Sequence, residues 1–361
     1  TSLGTTDVSL PCCLQLSFGI PKQRRVEEEK KTKKFPCKLK EDSPGGTCTG
    51  TGRPLTIGWL CKAMDAVLST HAAAEAFIPD LRQALGGRGS DTKWLDEYLD
   101  DSVKLLDTVR ALLDVVAEMK TYRANVDLAV DTLGHKNKFG LRRARVTLHR
   151  CVDALRRKEE GANHHMGQGH GNSSSSSRSR LEHCSSMLKR MGEKLRLEDA
   201  NKGSSSIFRV IYASQVTTIF ICGVLASALS FKPKPSCPSI FVGGNSPWSQ
   251  SLRSLQLKVK EHIEKTKSKG NVAAFVLDEV NKSDMAVRSL SVKLDKPMLG
   301  VKPSSAPECG TDVSHDIAVL KARSIELQRA LAPLEASIDE VFKVLVTSRV
   351  ALLNIYSHRK Q

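Results

Sequence analysis

The sequence predicts an all-α protein, a multi-helix bundle with long amphipathic helices and one central uncharged helix. Three observations predict it. Aromatic residues make up 5% of the 361 residues, while Leu, Ala, Val, Lys, Arg and Glu are plentiful and β-branched alternation is rare. Two stretches hold an apolar three-four spacing over many turns. Finally, Val210 to Phe231 runs 22 residues without a charge, in a chain of which 26% is charged.

Taken in order, residues 1–52 read as disordered. Glu27–Lys34 is a charge run and Pro44–Gly52 a flexible linker. The bundle is expected over 53–361. A first helix begins near Ile57 and its pattern continues through Trp59, Leu60, Met64, Val67 and Leu68 to about Leu85. Gly86–Gly89 breaks it, and Ser90 or Asp91 can cap the next.

That second helix is the clearest. Leu95, Tyr98, Ser102, Leu105, Val109, Leu112, Val116 and Met119 alternate spacings of three and four, and Leu99, Leu106 and Leu113 widen the stripe. A face this broad belongs inside a bundle. A shorter basic helix follows over about Leu141–Lys158, then a flexible His/Gly/Ser tract at 161–179. Another helix, about Leu181–Leu197, leads into the uncharged run. A Pro/Gly loop at 232–247 precedes helices over Ser249–Lys267 and Val272–Leu294, and a second loop spans 296–312.

The last helix repeats the bundle pattern at Ile317, Leu320, Ser324, Leu327, Leu331, Leu334, Ile338, Val341, Leu345, Ser348, Leu352 and Ile355. Pro333 lies inside it and is expected to kink or divide it.

The uncharged run has two readings. As a helix it would extend about 33 Å, enough to cross a bilayer. Its Ser214, Gln215, Thr217, Thr218, Ser227 and Ser230 make it more polar than a usual lipid-facing segment, and basic residues on both flanks give no orientation. A buried core helix is the reading we favour. It lets the two long stripes meet, whereas a membrane span would separate them. Val210, Phe220 and Phe231 mark the run for either outcome.

The net charge of +16 is unevenly placed. Residues 53–134 carry 9 Lys/Arg against 13 Asp/Glu, whereas 135–200 carry 15 against 7 and 232–302 carry 13 against 6. Attraction between acidic and basic segments can aid packing, and the surplus suits an anionic membrane surface or an acidic partner. Lys136, Lys138, Arg142, Arg143 and Arg145 are the densest basic cluster after the N-terminal segment. No RNA-recognition or helix-turn-helix signature accompanies them and aromatics for base stacking are sparse, so nucleic acid is not the expected partner.

No catalytic, cofactor or metal site is expected. The ten cysteines form no CxxC pair and suit free thiols in a reducing compartment. His164, His165 and His170 lie among Gly and Ser without a carboxylate or thiol to complete a metal shell. Ser173–Ser177 beside Arg178 and Arg180 could accept phosphate, though a plain spacer is the simpler reading. Asp96, Glu97, Asp100 and Asp101 fall on the flank and outward face of the second helix, with no convergent His or nucleophile. The Gly-rich stretches match neither a P-loop nor a dinucleotide fingerprint.

Four stretches resemble the plant BYPASS-related family, which includes an exocyst-associated branch. Arg53–His71 (RPLTIGWLCKAMDAVLSTH) is similar to its opening helix, with one extra residue before the Trp. Asp91–Asp107 (DTKWLDEYLDDSVKLLD) is the most specific match, at Trp94, Tyr98, Asp101, Ser102, Lys104, Leu105, Leu106 and Asp107. Val210–Leu229 resembles the family's uncharged segment and Leu320–Asn354 its closing helix. Residues 1–52, Pro333 and the His/Ser tract depart from the family pattern.

The resemblance carries over no catalytic residue. It implies a non-enzymatic regulator of root and shoot development that restrains a root-derived mobile signal. Relatives in the other branch are linked to secretion through the exocyst, and the alternative reading for this chain is a single-pass or peripheral membrane tether linked to exocyst-type secretion. Protein partners are expected, exocyst subunits among them. A cytoplasmic, membrane-associated location and a plastid one both fit the resemblance. The core and interaction positions expected on the two long helices are Trp94, Leu95, Tyr98, Leu105, Leu106, Val109 and Leu112, with Leu327, Leu331, Leu334, Ile338, Val341 and Leu345.

Overall fold

The computed structural model describes residues 55–78, 81, 91–135, 138–160, 177–195, 206–230, 239–242, 246–268, 277–295 and 311–359. The predicted N-terminal segment and nearly all of the His/Ser tract and the two Pro/Gly loops lie outside them. Eight α-helices are described: α1 (Ile57–Glu75), α2 (Asp91–Gly134), α3 (Lys138–Glu160), α4 (Ser177–Lys194), α5 (Ser206–Leu229), α6 (Pro247–Ser268), α7 (Asp278–Asp295) and α8 (Thr311–Arg359). The fold is an all-α bundle.

Helix α5 is its axis. Every residue from Val210 to Leu229 is buried, and α1, α2, α4 and α6 supply the cover. Phe231 lies outside the described residues. Three of the polar side chains that set this run apart from a lipid-facing segment, Ser214, Gln215 and Thr218, meet other helices. Gln215 Nε2 donates to Asp101 Oδ2 of α2 at 3.2 Å. Thr70 of α1 bonds the Val67 carbonyl at 2.7 Å and lies 3.5 Å from Ser214 Oγ. His71 Nε2 lies 2.9 Å from Thr218 Oγ1. Tyr212 meets Trp248 of α6 edge-on at 6.1 Å between ring centroids.

The Thr218 hydroxyl fixes the His71 tautomer. It donates its single proton to the Ser214 carbonyl at 2.7 Å, so it can only accept from the ring, and Nε2 carries the hydrogen. Nδ1 is then a bare lone pair in a dry interior, with no hydrogen-bond partner. Burial pushes the His71 pKa down to about 4, so the ring is neutral at physiological pH.

The two long stripes face each other. Arg349 of α8 donates to the Leu99 carbonyl and to Ser102 Oγ of α2; Glu335 pairs with Lys120, and Ser324 donates to Asp127. Rising numbers on α2 meet falling numbers on α8, so the helices run antiparallel. At one end, Leu95, Tyr98 and Leu99 join Phe208, Val210, Ile211 and Leu352 in a small second cluster, where Trp94 meets Phe208 edge-on at 5.2 Å. Ile355 packs on that cluster too, and the other apolar stripe residues belong to the main core or pack against it.

Two boundaries differ from expectation, and the end of α2, which the stripe left open, is set by the fold. Helix α1 stops at Glu75, well short of Leu85: Pro79 has no N–H to bond the Glu75 carbonyl, and the Phe77 N–H turns back to the Ala74 carbonyl at 3.0 Å. Helix α2 continues to Gly134, since buried Tyr122, Val126, Ala129 and Val130 extend its stripe. Helix α8 is not divided at Pro333. Pro333 is exposed, so the carbonyl that loses its N–H partner can turn to water.

One glycine governs a close approach. A Cβ on Gly192 of α4 would meet Ile240 Cγ1 at 2.9 Å. The segment 239–242 lies over α4 there, held from α6 by Arg253, which donates to the Val242 carbonyl at 3.0 Å.

Two measurements test this architecture. Leu112 is fully buried, and Leu112→Ala should cost about 2–5 kcal/mol and lower the melting temperature clearly; parent-like stability would mean the stripe is not core. His71 is held neutral, so its contribution is fully present above the unfolded pKa near 6.5 and is lost as pH falls toward 4. The slope from this one group approaches about 1.4 kcal/mol per pH unit. Relative to His71→Gln, the parent should therefore lose melting temperature faster between neutral pH and pH near 5; parallel losses would show that His71 protonates freely in the fold.

Candidate functional site

The described surface joins exposed apolar and basic side chains most closely on α3. Gly140, Ala144, Thr147, Leu148 and Cys151 form its buried side, packed on α2 and α7. Opposite them, Phe139 and Val146 are exposed one heptad apart, and Arg142, Arg143 and Arg150 are exposed beside them. At 3.6 residues per turn these five residues share the outward face.

Only part of the basic cluster expected from sequence lies on that face. Arg145 turns to α7, where it donates to the Leu294 carbonyl and pairs with Asp295 at 3.2 Å. His149 reaches the same carboxylate at 3.0 Å. A cation on the last carbonyls of α7 complements that helix end, so Arg145 is a docking residue between α3 and α7. Lys136 and the Lys138 side chain lie outside the described residues.

A second polar junction ties the start of α1 to α6 and α7. Thr56 caps α1 by accepting from the Trp59 N–H at 3.1 Å. The Glu279 carboxylate accepts from the Ile57 N–H at 3.0 and 3.1 Å, which satisfies another unpaired donor at the positive helix end. Leu55 N–H donates to His262 Nε2 at 3.0 Å, and Leu55 O accepts from Asp278 N–H at 3.1 Å. Burial pushes the Glu279 carboxyl up, against the pull of those backbone donors.

The buried titratable groups are chemically quiet. Burial pushes the Cys151 and Cys222 thiols up to about 12, far from a nucleophilic thiolate at neutral pH. Tyr122 is pushed up by burial and then by Asp284. Asp284 itself is held by Arg288 at 2.6 Å. Among the described residues no three His, Cys, Asp or Glu side chains converge to hold a metal. His164, His165, His170 and Ser173–Ser176 lie outside the described residues. Of the four carboxylates on α2, Asp96, Glu97 and Asp100 are exposed, and Asp101 bonds Lys104 at 2.7 Å as well as Gln215.

The expected interaction positions fall as follows. Leu95, Tyr98, Leu105, Val109 and Leu112 on α2 are buried, as are Leu327, Leu331, Leu334, Ile338, Val341 and Leu345 on α8. Trp94 and Leu106 are half-buried. Val210 and Phe220 are buried in α5. Sequence reasoning missed the Glu279 and His262 contacts, because each joins residues more than 200 positions apart. It also missed Phe139, whose exposure depends on which side of α3 meets α2.

Comparison with known proteins gives the lineage. The family model described as Protein ROH1-like matches residues 23–164 and 140–356. UPF0496 protein 4 of Oryza sativa subsp. japonica is 27% identical over 240 residues, 66% of this chain and 48% of its own length. Against that rice relative the chain spans about half the length. Protein BPS1, chloroplastic, of Arabidopsis thaliana is 24% identical over 301 residues, covering 83% of this chain and 76% of that protein. Protein ROH1D of the same plant is 23% identical over 326 residues, 82% of this chain and 80% of its own. No solved structure matches. With a family model covering most of its length and both Arabidopsis relatives aligned along most of theirs, the chain belongs to the ROH1-like, BYPASS-related family of plant proteins.

Proposed function

We propose that this chain is a non-enzymatic regulator or adaptor in plant root and shoot development, working through protein contacts and restraining a root-derived mobile signal. One observation carries the non-enzymatic part. The interior groups that could do chemistry are tied into packing, with His71 held neutral and the Cys151 and Cys222 thiols held protonated. The developmental part is supported by similarity to Protein BPS1. Exocyst subunits are the protein partners the family resemblance points to. The location proposed is cytoplasmic; the Arabidopsis relative is chloroplastic by name, and imaging of the full-length protein in plant cells decides between the two. In reciprocal grafts, roots lacking this protein should arrest a wild-type shoot. A normal shoot on such roots would remove the signal-restraint reading.

Within that reading α5 serves as a core helix and not as a membrane span. Phe208–Leu229 is long and apolar enough to cross a bilayer, but its most apolar stretch is wholly covered by protein. Three of its polar side chains, Ser214, Gln215 and Thr218, also have interhelical partners that lipid would not supply. Alkaline carbonate should release the protein from membranes of expressing cells. Retention in the pellet, with N- and C-terminal parts on opposite sides by protease protection, would overturn the core-helix reading.

A further inference from the structure

We propose that the outward face of α3 docks on an anionic lipid bilayer as a peripheral attachment site. Phe139 is 88% exposed, the highest value among the exposed large apolar residues of the described chain, and Val146, one heptad on, is 44% exposed. Arg142 and Arg143 lie three and four residues after Phe139, and Arg150 lies four after Val146. The apolar pair is therefore lined by guanidinium groups on the same side of the helix. Packing of the opposite side on α2 and α7 fixes this face outward, so its apolar surface contributes nothing to the core.

The chemistry of the face selects its occupant. Guanidinium groups beside a protruding aromatic ring match the headgroup zone of an acidic membrane, where phosphates meet the ends of the acyl region. One helix face offers no groove to hold an acidic peptide. A nucleic acid could use the arginines, but the face has one aromatic ring for stacking and Val146 would remain uncovered. The adjoining sequence adds Lys136 and Lys138 before the face, and Arg156, Arg157 and Lys158 after it, with Glu159 and Glu160 next. Asp153 is the one acidic residue on the described part of this face; it lies three residues after Arg150 and about four turns from Phe139. The inference rests on α5 remaining in the core, so that attachment is peripheral.

The test is cosedimentation of the purified full chain with vesicles of phosphatidylcholine alone, or of phosphatidylcholine mixed with phosphatidylserine, at low and high salt. The parent should bind the mixed vesicles and release at high salt. Arg142→Gln with Arg143→Gln should weaken binding roughly thirtyfold, and Phe139→Ser about tenfold. All three residues are exposed, so the variants should keep the parent melting temperature. No binding to mixed vesicles, equal binding to both kinds, or variants that bind like the parent would overturn the assignment. So would a preference for an RNA oligomer or polyglutamate that the same substitutions abolish. Failure of the core-helix reading looks different: binding would then resist salt and carbonate and ignore both variants.

Discussion

The burial of the uncharged run Val210–Leu229 of α5, which is not purely apolar, constrains the rest of the molecule. Leu, Ile, Val and Phe on α5 need apolar cover on every side, and its hydroxyls and amide need partners at fixed heights along the axis. An unsatisfied buried polar group costs about as much as one packed methylene or more. So α1 must present Thr70 and His71 at the level of Ser214 and Thr218, and α2 must bring Asp101 to Gln215. These contacts leave little freedom to slide either helix along α5. Apolar packing gives the bundle its cohesion, and the polar seam sets its register.

Helices α2 and α8 build the outer frame on that axis. At about 1.5 Å per residue they extend roughly 66 and 73 Å, longer than the central helix they flank. Each therefore reaches past the core and needs its own lateral attachments. The Arg349, Glu335 and Ser324 contacts, spaced along α8, supply them. The exposed Lys120–Glu335 pair adds little stability by itself, but the order of the three contacts along both helices excludes the parallel arrangement. Pro333 is tolerated for the same geometric reason. The buried side of α8 carries the packing, and the interrupted hydrogen bond falls on the wet side.

The helices were legible because their signal is local. Three-four spacing at Leu105, Val109, Leu112 and at Leu334, Ile338, Val341 encodes a buried face wherever the partner lies. The mutual approach of those faces followed from there being two broad stripes with no other cover. What stayed hidden depends on orientation across large sequence gaps. Nothing near Ile57 says that Glu279 will cap its helix, and nothing near Leu294 says that Arg145 will bind its carbonyl. The basic cluster was visible as a composition. Its division into a docking residue, Arg145, and an outward pair, Arg142 and Arg143, is a matter of helix rotation that a charge count does not contain. The end of α1 was overextended because apolar periodicity runs past Glu75, and Pro79 overrides it.

The junction at Leu55 also orders events in time. During synthesis α1 emerges early, yet the carboxylate that closes its first turn and the imidazole that holds Leu55 arrive more than 200 residues later. Until then α1 has an open end, and α5, when it appears, lacks α6 to shield it. The nascent chain can already cover most of α5 with α1, α2 and α4, and only the side that meets α6 stays open until that helix follows. Contacts of such long range slow collapse to the native arrangement. The first helix of this bundle is therefore among the last to have its end closed, and a chain cut short before α7 would lack that closure however well its other helices form.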